Sequence, residues 1–175
     1  MSIEILNQEV VYRGRVLGVR KDEVRFPNGY TTHLDVVEHD DSVSIVPVDN
    51  QGQVWFIHQY RHPVRRKILE LPAGVVEAGE KPEMCAQREL REEIGMSAGQ
   101  LQKIGGFYLL PGYSTEFMHI YLAKDLHKNP LQADEGEIIS IEKIPFKQAM
   151  VLAESGQIED AKSLGALLLA RQFLS

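Results

Sequence analysis

Leu69–Met96, LELPAGVVEAGEKPEMCAQRELREEIGM, is the stretch whose reading decides the fold. Its second half predicts a helix over Pro82–Ile94, with Pro82 suited to the first turn and Gly95 to the stop. Ala86, Leu90 and Ile94 recur every fourth residue, so one side of this helix is apolar and seeks a core. The helix also carries Glu83, Glu89, Glu92 and Glu93. Glu89 and Glu93 are one i, i+4 step apart, offset by only ~40° about the axis. Their Cβ atoms then stand roughly 5–6 Å apart, and like charges so placed destabilise a bare helix by a few tenths of a kcal/mol. Solvent, an arginine or a cation must offset that repulsion. Arg88, i, i+4 to Glu92, accounts for part of it. A Glu-rich helix alone reads as a wetted face; the residues before it shift the balance. Glu80 can fold back toward the same side, and the loop Ala73–Gly79 is punctuated by glycines that permit a tight backbone whose carbonyls can face an ion. Hard divalent cations take such oxygen ligands, commonly a few carboxylates plus water and substrate phosphate.

Written with its spacings, the stretch is Gly74, five residues, Glu80, seven residues, then Arg88-Glu89-Leu90-Arg91-Glu92-Glu93-Ile94-Gly95-Met96. It resembles the signature of the Nudix hydrolases, GX5EX7REUXEEXGU with U a bulky apolar residue, at every fixed position. A pattern with this many fixed identities is far more specific than a lone glycine motif. The resemblance implies hydrolysis of a nucleoside diphosphate linked to another moiety, with Mg²⁺ or Mn²⁺ as cofactor. It implies metal ligands at Glu89 and Glu93, with Glu92 a further contributor, and a backbone carbonyl ligand at Ala73. The resemblance also implies that Glu92 and Glu93 are the catalytic carboxylates of the helix. Arg88 is expected to orient the glutamates and is grouped with the substrate-binding residues, and Glu80 is expected to organise the loop. The chemistry is consistent: a diphosphate repels an attacking water, and cations bridging its oxygens relieve that repulsion.

The flanks point to one branch of the family. QYRHPVRRKILELPAG, Gln59–Gly74, resembles the approach to the signature in enzymes that cleave ADP-ribose and nucleoside diphosphate sugars. So do Pro111, sixteen residues past Gly95 in LLPGYSTE, and the ending ESGQIEDAKSLGALLLARQFL. By this resemblance Arg61 is a candidate for a phosphate or terminal sugar, which an arginine can grip bidentately. Glu70 is a candidate substrate contact, with a structural pairing as the alternative. A general base is expected in the loop Ala133–Glu137, at Glu137 or Glu135, which this reading does not separate. Glu116, five residues beyond Pro111, is a further candidate and is grouped with the substrate-binding residues. Arg65, Arg66 and Lys67 read as a solvated basic turn.

Outward from the signature the chain is strand-rich. Val10–Val48 has a β-like pattern with an Asn28-Gly29 hairpin signal. SIVPV (Ser44–Val48) and VWFIHQ (Val54–Gln59) read as a strand pair joined by Asp49–Gly52. Strands are expected at Phe107–Leu110, Phe117–Ala123 and Ile138–Ile141, with a polar loop over Lys124–Gly136 and closing helices near Phe146–Glu154 and Asp160–Phe173. This is an α+β pattern, and the resemblance implies an α/β/α sandwich around a mixed sheet with an N-terminal antiparallel β-sheet extension. Residues 1–43 are expected to form that extension, a dimerisation element, and 44–175 the hydrolase domain. The resemblance likewise implies a homodimer.

Composition narrows the partners. Of 175 residues, 19 Lys and Arg stand against 25 Asp and Glu, a net charge of −6 that argues against a nucleic-acid grip. A single cysteine, Cys85, excludes an internal disulfide and reads as a packing residue. The histidines have no close ligand spacing, so zinc is not expected. The first residues carry no basic-then-apolar leader and no run approaches a membrane span, so a cytoplasmic location is expected. The expected activity is Mg²⁺-dependent cleavage of ADP-ribose or a nucleotide sugar. Rival readings are a house-cleaning hydrolase of modified nucleoside triphosphates or dinucleoside polyphosphates, a cap or 5′-end RNA hydrolase, and a non-catalytic ADP-ribose-sensing module. The intact signature argues against the last.

Overall fold

The computed structural model describes residues 2–132 and 138–174. Ten strands and three α-helices are found among them: β1 (Glu4–Arg13), β2 (Leu17–Arg25), β3 (Thr31–His39), β4 (Ser42–Pro47), β5 (Gln53–Arg61), β6 (Arg66–Glu70), β7 (Ala73–Val75), α1 (Pro82–Glu93), β8 (Met96–Tyr108), β9 (Phe117–Lys128), β10 (Ile139–Pro145), α2 (Phe146–Glu154) and α3 (Ala161–Leu174). The fold is mixed α+β. No described helix is long and apolar enough to cross a membrane.

The chain divides into two compact units. One comprises residues up to Asp41 with Tyr108–Phe117; the other comprises Ser42–Phe107 with the residues from Met118 onward. In the first, β1, β2 and β3 form an antiparallel sheet in that order. The β2–β3 turn is built on Pro27-Asn28-Gly29. Gly29 sits at φ +86°, a left-handed conformation that a side chain resists, and Asn28 Oδ1 accepts the Tyr30 N–H at 3.1 Å. All ten residues of β1 are exposed, with Ile5, Val10, Val11 and Tyr12 among the exposed apolar side chains. The segment containing Pro111 docks on β3: the Val37 N–H donates to Tyr113 O at 2.7 Å and the Thr115 N–H to Val37 O at 3.0 Å.

In the second unit, β7-β4-β9-β8 form one sheet, with β4 parallel to β9, and β10-β5-β6 form another. The expected pairing of SIVPV with VWFIHQ is thus corrected. β4 and β5 lie in different sheets, and the isolated bridge Val48↔Val54 links the two segments. All six residues of β4 are buried, so it needs covering on both faces and takes the sheet centre between β7 and β9. β9 runs on to Lys128, through residues expected in a loop; Leu126 packs on the core and β8 supplies the ladder partner. β8 likewise starts at Met96, well before Phe107.

The apolar stripe of α1 is buried as its period requires. Cys85, Ala86, Leu90 and Ile94 pack with Val43, Ile45, Ile57, Tyr121 and Ala123 in one cluster. Fully burying a leucine such as Leu90 stabilises by roughly 1.5–3 kcal/mol, well above the few tenths that its acidic neighbours cost. Phe56 is fully buried, whereas Trp55 is half-buried, with Lys143 Nζ 3.7 Å from its ring centroid.

Candidate active site

Burying Leu90 and Ala86 fixes which way the acidic side of α1 faces: toward β7. Glu89 and Glu93 are only 8% and 6% exposed. The Ala73 N–H donates to Glu93 Oε2 at 3.0 Å. Gly74 lies against Glu89, close enough that a Cβ there would stand 1.8 Å from Glu89 Oε1. The β7 backbone and the two carboxylates are thus in contact, and a glycine is the residue that allows it.

Arg88 organises the remaining acids. Its Nη1 donates to Glu89 Oε1 at 2.6 Å and Glu92 Oε2 at 3.1 Å. Nε and Nη2 reach Glu80 Oε1 and Oε2 at 3.1 and 3.0 Å, and Nη2 also donates to Val75 O at 3.1 Å. Glu80 in turn accepts the Glu77 N–H at 3.1 Å, closing the loop. The bond from Arg88 holds the Glu80 carboxyl below its ordinary range. The Glu80 bond and the nearby Glu89 charge push the Arg88 guanidinium above its already high value, so it stays charged. Cys85 is buried, and burial pushes its thiol up, which suits packing and not nucleophilic attack.

Arg61 ends β5, and its Nε and Nη2 grip Glu70 Oε1 and Oε2 at 2.8 and 2.7 Å. Its charge is also within electrostatic reach of Glu93. Glu70 is fully buried, both oxygens engaged, with Lys162 as second cation. Burial works to raise its pKa, and the Arg61 bond and the Lys162 charge outweigh this, so the carboxyl is held below its ordinary range. Arg61, Glu70, Ala73, Arg88, Glu89, Glu92 and Glu93 therefore belong to one unit and one neighbourhood. Glu116 belongs to the other unit, with its carboxylate 3.8 Å from His39 Nδ1. Glu135 and Glu137 lie outside the described residues.

Reading the sequence did not single out Lys162, Asp160 or Ser163, which back the Arg61–Glu70 pair. The signal was present: Asp160 three residues before Ser163 is a helix N-cap pattern, and its Oδ2 accepts the Ser163 N–H at 3.0 Å. Lys162 then breaks the otherwise apolar start of a terminal helix.

The donor set suits a hard divalent cation: two nearly buried carboxylates one helical turn apart, held against the backbone of Ala73 and Gly74. Among the described residues no three acidic, histidine or cysteine side chains converge tightly enough to hold an ion alone. Glu89 and Glu92 are held by Arg88 instead. That fits an ion taken by one or two carboxylates and completed by water and substrate phosphate.

Comparison with known proteins shows what the chain as a whole resembles. Residues 38–167 match the family model described as the NUDIX domain. An ADP-ribose pyrophosphatase of Bacillus subtilis (strain 168) is 35% identical over 162 residues, covering 91% of this chain and 88% of that protein. A methanol dehydrogenase activator of Bacillus methanolicus is 33% identical over 164 residues, covering 93% and 89%. The crystal structure of an ADP compounds hydrolase superposes with a TM-score of 0.90 at 29% identity, covering 99% of this chain and 95% of the other.

Proposed function

The chain belongs to the Nudix family of hydrolases, and from that premise we propose that it hydrolyses the diphosphate linkage of ADP-ribose or a nucleoside diphosphate sugar. Water adds across the P–O–P bridge and the products are a nucleoside monophosphate and a sugar phosphate. The observation that carries this reading is the nearly buried Glu89–Glu93 pair against Ala73 and Gly74 of β7, with Arg61 within electrostatic reach. The choice of substrate is supported by the activity for which the Bacillus subtilis relative and the protein of the superposed crystal structure are named.

Glu89 and Glu93, with the carbonyl of Ala73 and a contribution from Glu92, would hold Mg²⁺ or Mn²⁺. The bound ion supplies charge neutralisation of the diphosphate and a lowered pKa for attacking water. The other roles belong to the chain's own residues. The Ala73 N–H fixes one oxygen of Glu93, so the carboxylate is oriented before any ligand arrives. Arg88 spaces Glu89 and Glu92 and relieves their mutual repulsion. Arg61, its plane set by Glu70, offers a fixed positive charge to the phosphates. In this reading Glu135 or Glu137 serves as general base. The exposed apolar side chains of β1 support assembly of a homodimer through the N-terminal sheet, which light scattering on the purified protein measures.

Product analysis after incubation with ADP-ribose and a panel of nucleotide sugars, with Mg²⁺ or Mn²⁺, tests the activity. Nucleoside monophosphate and sugar phosphate are expected in equal amounts. No turnover across that panel would reject the reading, and preferred turnover of nucleoside triphosphates would favour the house-cleaning alternative.

A further inference from the structure

Just before Ala73 in the chain, a polar cluster ties the first turn of α3 to the end of β6. Glu70 is fully buried, and an isolated carboxylate there would be strongly disfavoured. Arg61 meets both of its oxygens from β5. Lys162, itself nearly buried, bonds Glu70 Oε2 from α3 and also Asp160 Oδ2 at 2.8 Å. The same Asp160 oxygen takes the Ser163 hydroxyl at 2.5 Å, and Ser163 Oγ accepts the Leu71 N–H at 2.7 Å. The residue after Glu70 is therefore fastened to α3 as firmly as Glu70 itself.

Lys162 is shared between Glu70 and Asp160, so the four groups Arg61, Lys162, Glu70 and Asp160 balance in charge, and what Lys162 adds at Arg61 is orientation. Lys162 holds Oε2, which sets the carboxylate plane, and the two parallel bonds from Arg61 force its guanidinium into that plane. Those bonds use the Nε–Nη2 edge, and the Arg61 side chain is still 40% exposed, which leaves the Nη1 end for a ligand.

We propose that Lys162 is a positioning residue for diphosphate binding: acting through Glu70, it sets the orientation of the Arg61 guanidinium that meets the phosphates. The proposal rests on the hydrolase reading given above and adds a residue to it. Lys162 touches no substrate; its influence passes through one buried carboxylate.

A double-mutant cycle tests this. KM and kcat for ADP-ribose with Mg²⁺ are measured for the native protein, Arg61→Ala, Lys162→Met and the double variant, each with a thermal melt. Lost ground-state binding appears in KM, so Arg61→Ala is expected to raise KM roughly tenfold and Lys162→Met at least about threefold, with smaller changes in kcat. If Lys162 acts through Arg61, then in the Arg61→Ala background Lys162→Met adds less than about twofold to KM. A general structural role would instead multiply the two effects. Lys162→Arg keeps the buried charge while redirecting its bond. It provides the cycle if Lys162→Met fails to fold, with a smaller KM increase that again vanishes without Arg61. Multiplying effects, or a native KM in folded Lys162 variants, would overturn the proposal while leaving the hydrolase reading intact. Absence of turnover by the native protein over the whole substrate panel would overturn that reading and this proposal with it.

Discussion

Gly74 and Glu89 are packed so closely that no side chain fits between them: a Cβ on Gly74 would meet Glu89 Oε1 at 1.8 Å and its Cγ at 2.7 Å. The glycine of the signature is thus not there for a left-handed backbone, since Gly74 is absent from the positive-φ glycines among the described residues. It is there because a carboxylate of α1 occupies the space of its side chain.

Gly74→Ala is accordingly expected to push the Glu89 carboxylate away while leaving the fold in place. The displaced group is the far end of a side chain that is mostly, but not wholly, buried. A stability loss of about 1–3 kcal/mol is expected from the overpacking. Turnover is expected to fall by roughly 100-fold, the cost of misplacing a reacting group by about an ångström. Thermal melts and kcat on the same preparation separate the two effects. An alanine variant with native turnover would show that Glu89 has no catalytic part.

Glu93→Gln keeps the acceptor for the Ala73 N–H and removes the charge. Its melt is expected within about 4 °C of the native value, because the hydrogen bond and packing survive. Activity should drop by roughly 100-fold or more, since preorganised charge stabilises the transition state most. Calorimetric titration with Mg²⁺ in the presence of a slowly cleaved substrate analogue should show correspondingly weaker binding. Loss of folding instead would assign the acidity of α1 to structure.

Arg88→Met leaves Glu80, Glu89 and Glu92 without their shared cation. A destabilisation of about 1–3 kcal/mol is expected from the unpaired acceptors. Mg²⁺ should then raise the melting temperature of the variant more than that of the native protein, because a divalent ion can offset the same repulsion and binds the folded state only. Equal shifts in both proteins would separate Arg88 from the metal carboxylates.

Acid unfolding probes Glu70. Its folded-state pKa lies below its ordinary value, so its contribution is fully present above the unfolded-state value of about 4.3 and is lost as pH falls through the lower folded value. The unfolded chain takes up that proton first, which makes stability fall on acidification. Glu70→Gln should therefore be less stable at neutral pH and show a shallower loss below pH ~4.3. Denaturant midpoints measured from pH 7 down to pH 3 check the slope; parallel curves for both proteins would contradict the assignment.

Much of the site's local order was legible in the chain. The period of Ala86, Leu90 and Ile94 predicts the buried side of α1, and the i, i+4 spacing of Arg88 and Glu92 predicts a bond found at 3.1 Å. Local spacing suffices there because a helix fixes its own geometry. The β4–β5 pairing was misread because a polar turn between two apolar strands signals a hairpin whether or not the strands share a sheet. The end of β9 was hidden because Lys124–Lys128 is polar, and its ladder partner comes from β8, far along the chain.

Residue order alone determined the chemistry of this protein: which carboxylates share a helical side, which glycine precedes them and which arginine stands beside them. These relations span a few residues, and the backbone repeat enforces them. Tertiary structure alone decided that Glu70 is buried between Arg61 and Lys162, and that Ser163 of α3 fastens Leu71. Lys162 and Ser163 lie 92 positions from Glu70 and Leu71 respectively, and only the collapse of the core brings such partners within hydrogen-bonding distance.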